Sequence, residues 1–132
     1  MSRTTWNGLS PWRLGKAAAP IGPYSQAVRA NGFIFVAGEK GIDPATNAIV
    51  PGGIAAETRQ TLENIRNILE EAGSSISRVV ATTVYLTDIN AFGEMNTVYA
   101  EYFTSNPPGR TTVGVSSLPA GAQVEITVTA LA

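Results

Sequence analysis

The closing segment of the chain alternates strictly. Val124, Ile126, Val128 and Ala130 take turns with Glu125, Thr127 and Thr129. Successive side chains of a strand point to opposite faces, so Ala122 to Leu131 can fold only as a strand with one buried face and one hydroxyl-rich face. Thr111 to Ser117 repeats the pattern, with Val113 and Val115 set against Arg110, Thr112, Gly114 and Ser116. A turn at Leu118-Pro119-Ala120-Gly121 links the two. One-sided strands need something to cover their apolar face.

Two amphipathic helices can supply that cover. From Ile54 to Ala72 the residues Ile54, Leu62, Ile65, Leu69 and Ala72, with Thr58 between, recur at steps of three and four, and Gly73 follows as a C-terminal cap. Asp88 or Asn90 caps a second helix running through Phe103, whose inner stripe is Phe92, Met95, Tyr99, Tyr102 and Phe103. Between them, Arg78 to Thr87 is rich in β-branched residues and carries apolar groups on both alternating sets, as a central strand does. Asn31-Gly32 is a strong hairpin signal joining strands at Ser25 to Arg29 and Phe33 to Ala37. A loop through Asp43-Pro44 and Thr46-Asn47 returns by a short strand at Ala48 to Val50. At the N-terminus we expect a short strand at Thr4 to Gly8, a break at Ser10-Pro11, and docking of Trp6 and Trp12.

Composition narrows the chemistry. The 132 residues suit one domain with a genuine core, and they include neither histidine nor cysteine. The chain therefore lacks the usual general base, soft metal ligands and thiolate nucleophile, and a Ser-His triad is impossible. We expect no metal and no cofactor. Nine Lys and Arg against ten Asp and Glu give a formal net charge of -1, which offers no footprint for nucleic acid or an anionic membrane. With 44 % hydrophobic and 14 % charged residues, part of the surface is suited to cover by other subunits. No apolar run reaches signal-peptide or transmembrane length, so the cytoplasm is the expected location.

Arg110 and Glu125 are the main candidates. Arg110 follows Pro107-Pro108-Gly109 at the start of a strand, where a guanidinium held by a stiff backbone grips a carboxylate in a bidentate fork; the same placement suits a structural ion pair. Glu125 stands mid-strand on the polar face, where glutamate is a poor β-former, and its carboxylate can orient a water or pair across an interface. If the turn pairs Ser117 with Ala122, Glu125 faces Gly114 and Arg110 lies roughly 13 Å along the sheet. A site using both is then spanned by ligand and water, or assembled from neighbouring subunits. Tyr24, Gly38 and Asn96 are weaker candidates: a phenol near a turn, a glycine admitting close approach of a ligand, and a helical amide. Glu39-Lys40 reads as an exposed charge pair.

Ala19-Pro20-Ile21-Gly22-Pro23-Tyr24-Ser25-Gln26-Ala27, Phe35-Val36-Ala37-Gly38, Asn90 to Phe103, Gly109-Arg110, Leu118-Pro119 and Val124-Glu125-Ile126 together resemble the RidA (YjgF) family, in order, from about Ala19 to Leu131. The resemblance implies an α+β, chorismate-mutase-like single domain over residues 1–132, with a mixed sheet of about six strands and two helices packed on one face. It also implies a homotrimer with clefts between subunits, and hydrolytic deamination of 2-enamine and 2-imine acids to 2-keto acids and ammonia. By motif, Arg110 matches the carboxylate-binding arginine and Glu125 the water-holding glutamate. Tyr24, Gly38, Asn96 and Thr112 match substrate-binding positions.

Several residues depart from the family pattern. Thr112 stands where cysteine is frequent, Glu39 where glutamine is common, and Lys40 and Gly41 replace more apolar residues. Residues 1–18 are atypical, with Trp6 to Lys16 fitting least well. Two competing functions follow from the same residues: a non-catalytic module sensing a small carboxylate, and an endoribonuclease, which the balanced charge disfavours.

Overall fold

The computed structural model describes the backbone of residues 3–6 and the whole of residues 23–132. The expected break at Ser10-Pro11, the side chains of Trp6 and Trp12, and most of the atypical segment 1–18 lie outside the described residues. A six-stranded sheet is built from β1 (Arg3–Trp6), β2 (Ala27–Ala30), β3 (Phe33–Glu39), β6 (Val79–Leu86), β7 (Gly109–Gly114) and β8 (Val124–Leu131), in the order β1-β2-β3-β8-β6-β7. A small hairpin, β4 (Ile42–Asp43) and β5 (Ala48–Ile49), stands apart from it. The helices are α1 (Gly53–Glu71) and α2 (Phe92–Tyr102).

Local signals act as the sequence leads one to expect. Asn31 and Gly32 both take positive φ, 51° and 84°, which matches the twist of a two-residue hairpin between β2 and β3. Helix α1 ends in a Schellman cap. The Ser74 amide donates to the Leu69 carbonyl and the Gly73 amide to Glu70, with Gly73 at φ 85°. Asp88 accepts a hydrogen bond from the Asn90 amide and caps the 3-10 turn Ile89–Ala91, which runs on into α2. Leu62, Ile65, Ile68 and Leu69 of α1 and Met95 and Tyr99 of α2 bury against Ile34, Val84, Leu86, Val124, Ile126 and Val128 of the sheet. Within the expected inner stripe of α2, Phe92 is exposed, and Val98 is buried instead.

Two expectations fail together. Strands β7 and β8 are not neighbours: β6 lies between them, parallel to β7 and antiparallel to β8. The cause is α2, a crossover that brings the chain back parallel beside β6, as strand-helix-strand units do. The turn at Pro119–Gly121 exists, but it belongs to a connection that passes the end of β6. That connection is held by hydrogen bonds from the Val115 amide to the Leu86 carbonyl and from the Thr87 amide to the Gln123 carbonyl. Glu125 therefore faces Tyr85, and Gly114 pairs with Leu86.

The second failure concerns the faces of β7. Arg110 pairs with Thr82 and Thr112 with Val84, both buried on the helix side, whereas Val113 pairs with Tyr85 on the open side. Arg110 and Thr112 thus project toward the helices and Val113 away from them. An edge strand tolerates this inversion because its helix side emerges at the margin of the layer, where α2 offers rings rather than a closed core.

Candidate active site

The sequence-predicted residues fall into two groups. The first lies at the β7 margin. Arg110 rests on α2, its guanidinium 4.7 Å from the centre of the Tyr99 ring and 5.4 Å from that of Phe92, so the cation is aimed by two aromatic faces. The Tyr99 hydroxyl shares a hydrogen bond of 2.8 Å with Thr82, the strand partner of Arg110. Burial pushes the Tyr99 phenol above its ordinary pKa, opposed by the Thr82 hydrogen bond and the Arg110 charge. Thr112 follows two residues on, along the same face. Asn96 lies between Phe92 and Tyr99 in helical spacing, and its Oδ1 is buried without a hydrogen-bond partner. This margin presents a fixed cation beside an unused acceptor.

The second group lines a cleft of about 330 Å³ formed by Tyr24, Ala37, Gly38, Lys40, Pro119 and Glu125. Glu125 projects from the open face of β8, and its Oε1 lies 3.7 Å from Lys40 Nζ. Gly38 makes room for that carboxylate. A Cβ built there would stand 2.2 Å from Glu125 Oε2, so the space that sequence reasoning reserved for a ligand is taken by Glu125. Glu39 and Lys40, expected as an exposed pair, are both buried.

Helix α1 fixes this second group through residues that sequence reasoning missed. Asn64 Nδ2 donates to the carbonyls of Lys40 (3.1 Å) and Ile42 (2.9 Å), and Glu57 Oε1 accepts from the Gln123 amide (2.8 Å), two residues before Glu125. Gly41 packs on the backbone of α1, where a Cβ would come within 2.7 Å of the Glu57 carbonyl oxygen. The available signal was polarity out of place: Glu57 and Asn64 stand among the apolar positions of the helix, and both are buried.

The two groups do not meet in one chain. Arg110 leaves the sheet on the helix side and Glu125 on the open side. They are two strands apart and three residues out of step, so their Cα atoms are roughly 14 Å apart. Among the described residues no cluster of three or more Asp, Glu, His or Cys side chains that could hold a metal ion occurs. Among the same residues no helix is long and apolar enough to cross a membrane.

Residues 14–132 match the family described as Endoribonuclease L-PSP. The chain is 54 % identical over 110 residues to a RutC family protein of Pyrococcus horikoshii, covering 83 % of this chain and 87 % of that one. It is 50 % identical over 111 residues to the 2-iminobutanoate/2-iminopropanoate deaminase of Bos taurus, covering 84 % and 81 %. The chain belongs to the RidA family. Its architecture is that of RidA-family solved structures: a conserved Rid family protein of Yersinia pestis superposes with a TM-score of 0.90 at 39 % identity, covering 99 % of this chain and all of that one. Escherichia coli TdcF with bound serine superposes with a TM-score of 0.85 at 33 % identity, covering 89 % and 94 %. The RidA-type fold confirms the α+β reading, with six strands in the main sheet and both helices on one face.

Proposed function

We propose that this RidA-family protein hydrolyses 2-imino acids, and their 2-enamine tautomers, to 2-keto acids and ammonia. In this reading the working site is a cleft between copies of a homotrimer. The observation that carries the proposal is the division of the site residues into two groups on opposite faces of one sheet. An anchoring margin of Arg110, Asn96 and Thr112 and a water-holding cleft of Glu125, Gly38 and Tyr24 become one site when a neighbouring copy supplies the other half. The open sheet face supports such an assembly, because Phe35, Val80, Val113 and Leu131 are each more than a third exposed.

The reaction suits a chain without histidine. A protonated imine carbon is already electrophilic, so catalysis needs placement and charge complementarity more than a strong base. Arg110 grips the substrate carboxylate with paired N–H donors. Glu125 accepts a proton from water as the oxygen adds to C2, which gives a carbinolamine. Proton transfer to the nitrogen then breaks the C–N bond, and ammonia leaves as the C2 carbonyl forms. The names of the mammalian relatives support this chemistry, and the serine bound to TdcF supports a small carboxylate ligand. A formal net charge of -1 speaks against the RNA cleavage in the family's description. The cytoplasm remains the proposed location.

The test generates imino acids in situ with an amino-acid oxidase and traps the surviving imine with semicarbazide. The protein is expected to suppress the trapped product and speed keto-acid release, and Arg110→Ala to abolish both effects. Saturable binding of small carboxylates with no acceleration would establish the binding-module reading instead.

A further inference from the structure

We propose that Lys40 is a second cationic anchor in the cleft and selects 2-imino acids that carry an additional carboxylate, the imino dicarboxylates. The inference rests on the deaminase reading for its reaction, but the charge recognition stands on the geometry of the cleft. Lys40 is only 7 % exposed, yet its contacts are loose. Its Nζ lies 3.7 Å from Glu125 Oε1 and 3.4 Å from the Gly38 carbonyl oxygen. An ammonium has three donors, and a charge-assisted bond normally closes to about 2.8 Å. Removed from water and held at arm's length from its acceptors, this cation lacks the close partners that buried charges require.

The position is also built rather than incidental. Asn64 holds the carbonyls on either side of Gly41, and Gly41 is pressed onto α1 so closely that no side chain fits. Among the described residues the ammonium is the one cation in the cleft lining, beside the Glu125 carboxylate that is proposed to hold water. In the proposed site between copies, a substrate whose α-carboxylate lies on the neighbouring copy's arginine, the counterpart of Arg110, would turn its side chain into this cleft. A hydrocarbon side chain would leave the ammonium with its loose contacts, whereas a terminal carboxylate would close them. Recognition of one carboxylate by each of two cations predicts four- and five-carbon imino dicarboxylates as the favoured class.

The experiment compares kcat/KM for imines generated from D-aspartate and D-glutamate with those generated from D-alanine and D-2-aminobutyrate, in the wild type, Lys40→Met and Lys40→Arg. The wild type is expected to favour the dicarboxylic imines by about tenfold or more, Lys40→Met to reduce that ratio by about tenfold, and Lys40→Arg to keep most of it. A wild-type ratio at or below one overturns the inference. So does a Lys40→Met variant that lowers all four imines by the same factor, since Lys40 would then act only through Glu125. Binding of the unreactive acids glutarate and butanoate separates this inference from the deaminase reading. If no imine is hydrolysed but glutarate binds about tenfold tighter than butanoate, and Lys40→Met removes the difference, the anchor stands and the reaction falls. Equal affinities of the wild type for the two acids overturn the anchor whatever the turnover.

Discussion

Arg110 and Glu125 leave the same sheet on opposite faces, Arg110 beside Thr82 under α2 and Glu125 beside Tyr85 on the open side. If each completes a site only with a neighbouring copy, the two defects must complement. Arg110→Ala and Glu125→Ala homomers should each be inactive. In the proposed trimer, mixed assemblies formed by refolding the two together should regain up to about a quarter of wild-type turnover by random assortment. A mixture as dead as its parents, in demonstrated hetero-oligomers, would place both groups in one chain's site.

Gly38 and Gly41 sit three residues apart, and their replacement should fail in different ways. At Gly38 the obstacle to a Cβ is the tip of the Glu125 side chain, 2.2 Å away, which can swing aside. Gly38→Ala should therefore cost less than about 1.5 kcal/mol in stability. Because the displaced group is the proposed water holder, kcat should fall by about 10²-fold. At Gly41 the obstacle is backbone, the Glu57 carbonyl oxygen at 2.7 Å. Gly41→Ala should instead lose about 1–3 kcal/mol by strain. Urea unfolding and steady-state kinetics on both variants separate the two effects.

What could be read from the sequence follows from what kind of information each feature carries. The hairpin at Asn31-Gly32, the cap at Gly73 and the alternation of Val124 to Ala130 are local, and local chemistry settles them. The pairing of β7 is not local. Nothing within Gly109–Gly114 says whether it lies beside β8 or beyond β6, and only the crossover through α2 decides it. That error carried the face of Arg110 with it, since a strand's orientation is read against its neighbours. Lys40 was misjudged for a related reason. Asn64 holds its backbone carbonyl and Glu57 lies against the neighbouring Gly41, both distant in sequence, and a charged pair beside a glycine looks like surface until the helix packed on that glycine is placed.

Tyr102 gives a pH signature away from the candidate site. Its hydroxyl donates to Glu63 Oε2 at 2.6 Å, with the Arg66 guanidinium over the ring at 5.8 Å. Burial first, and then the hydrogen bond to Glu63, push its pKa up to about 12. The folded value lies above the unfolded value of 10.0, so folding favours the neutral phenol. This contribution is fully present below the unfolded value and is lost as pH rises through the folded one; solvent screening at this partly exposed ring holds it to about 1 kcal/mol. Ultraviolet titration of phenolate should show a component near 12 that Tyr102→Phe removes. A titration unchanged by that substitution would contradict the assignment.

Asn64 should matter to stability and to selectivity at once. It is fully buried, donates to the carbonyls of Lys40 and Ile42, and accepts from Gln60 Nε2 at 2.9 Å. Asn64→Leu keeps the branched shape in a bulkier side chain and strands two carbonyls in the interior, a loss of about 2–4 kcal/mol. Asn64→Asp should be worse at neutral pH, because an ionised carboxylate offers only acceptors where two donors are needed. If the clamp is what holds Lys40 in the cleft, Asn64→Leu, assayed well below its melting temperature, should also weaken the preference for dicarboxylic over monocarboxylic ligands. A variant that loses stability with the preference intact would show that Lys40 is held by its own contacts rather than by α1.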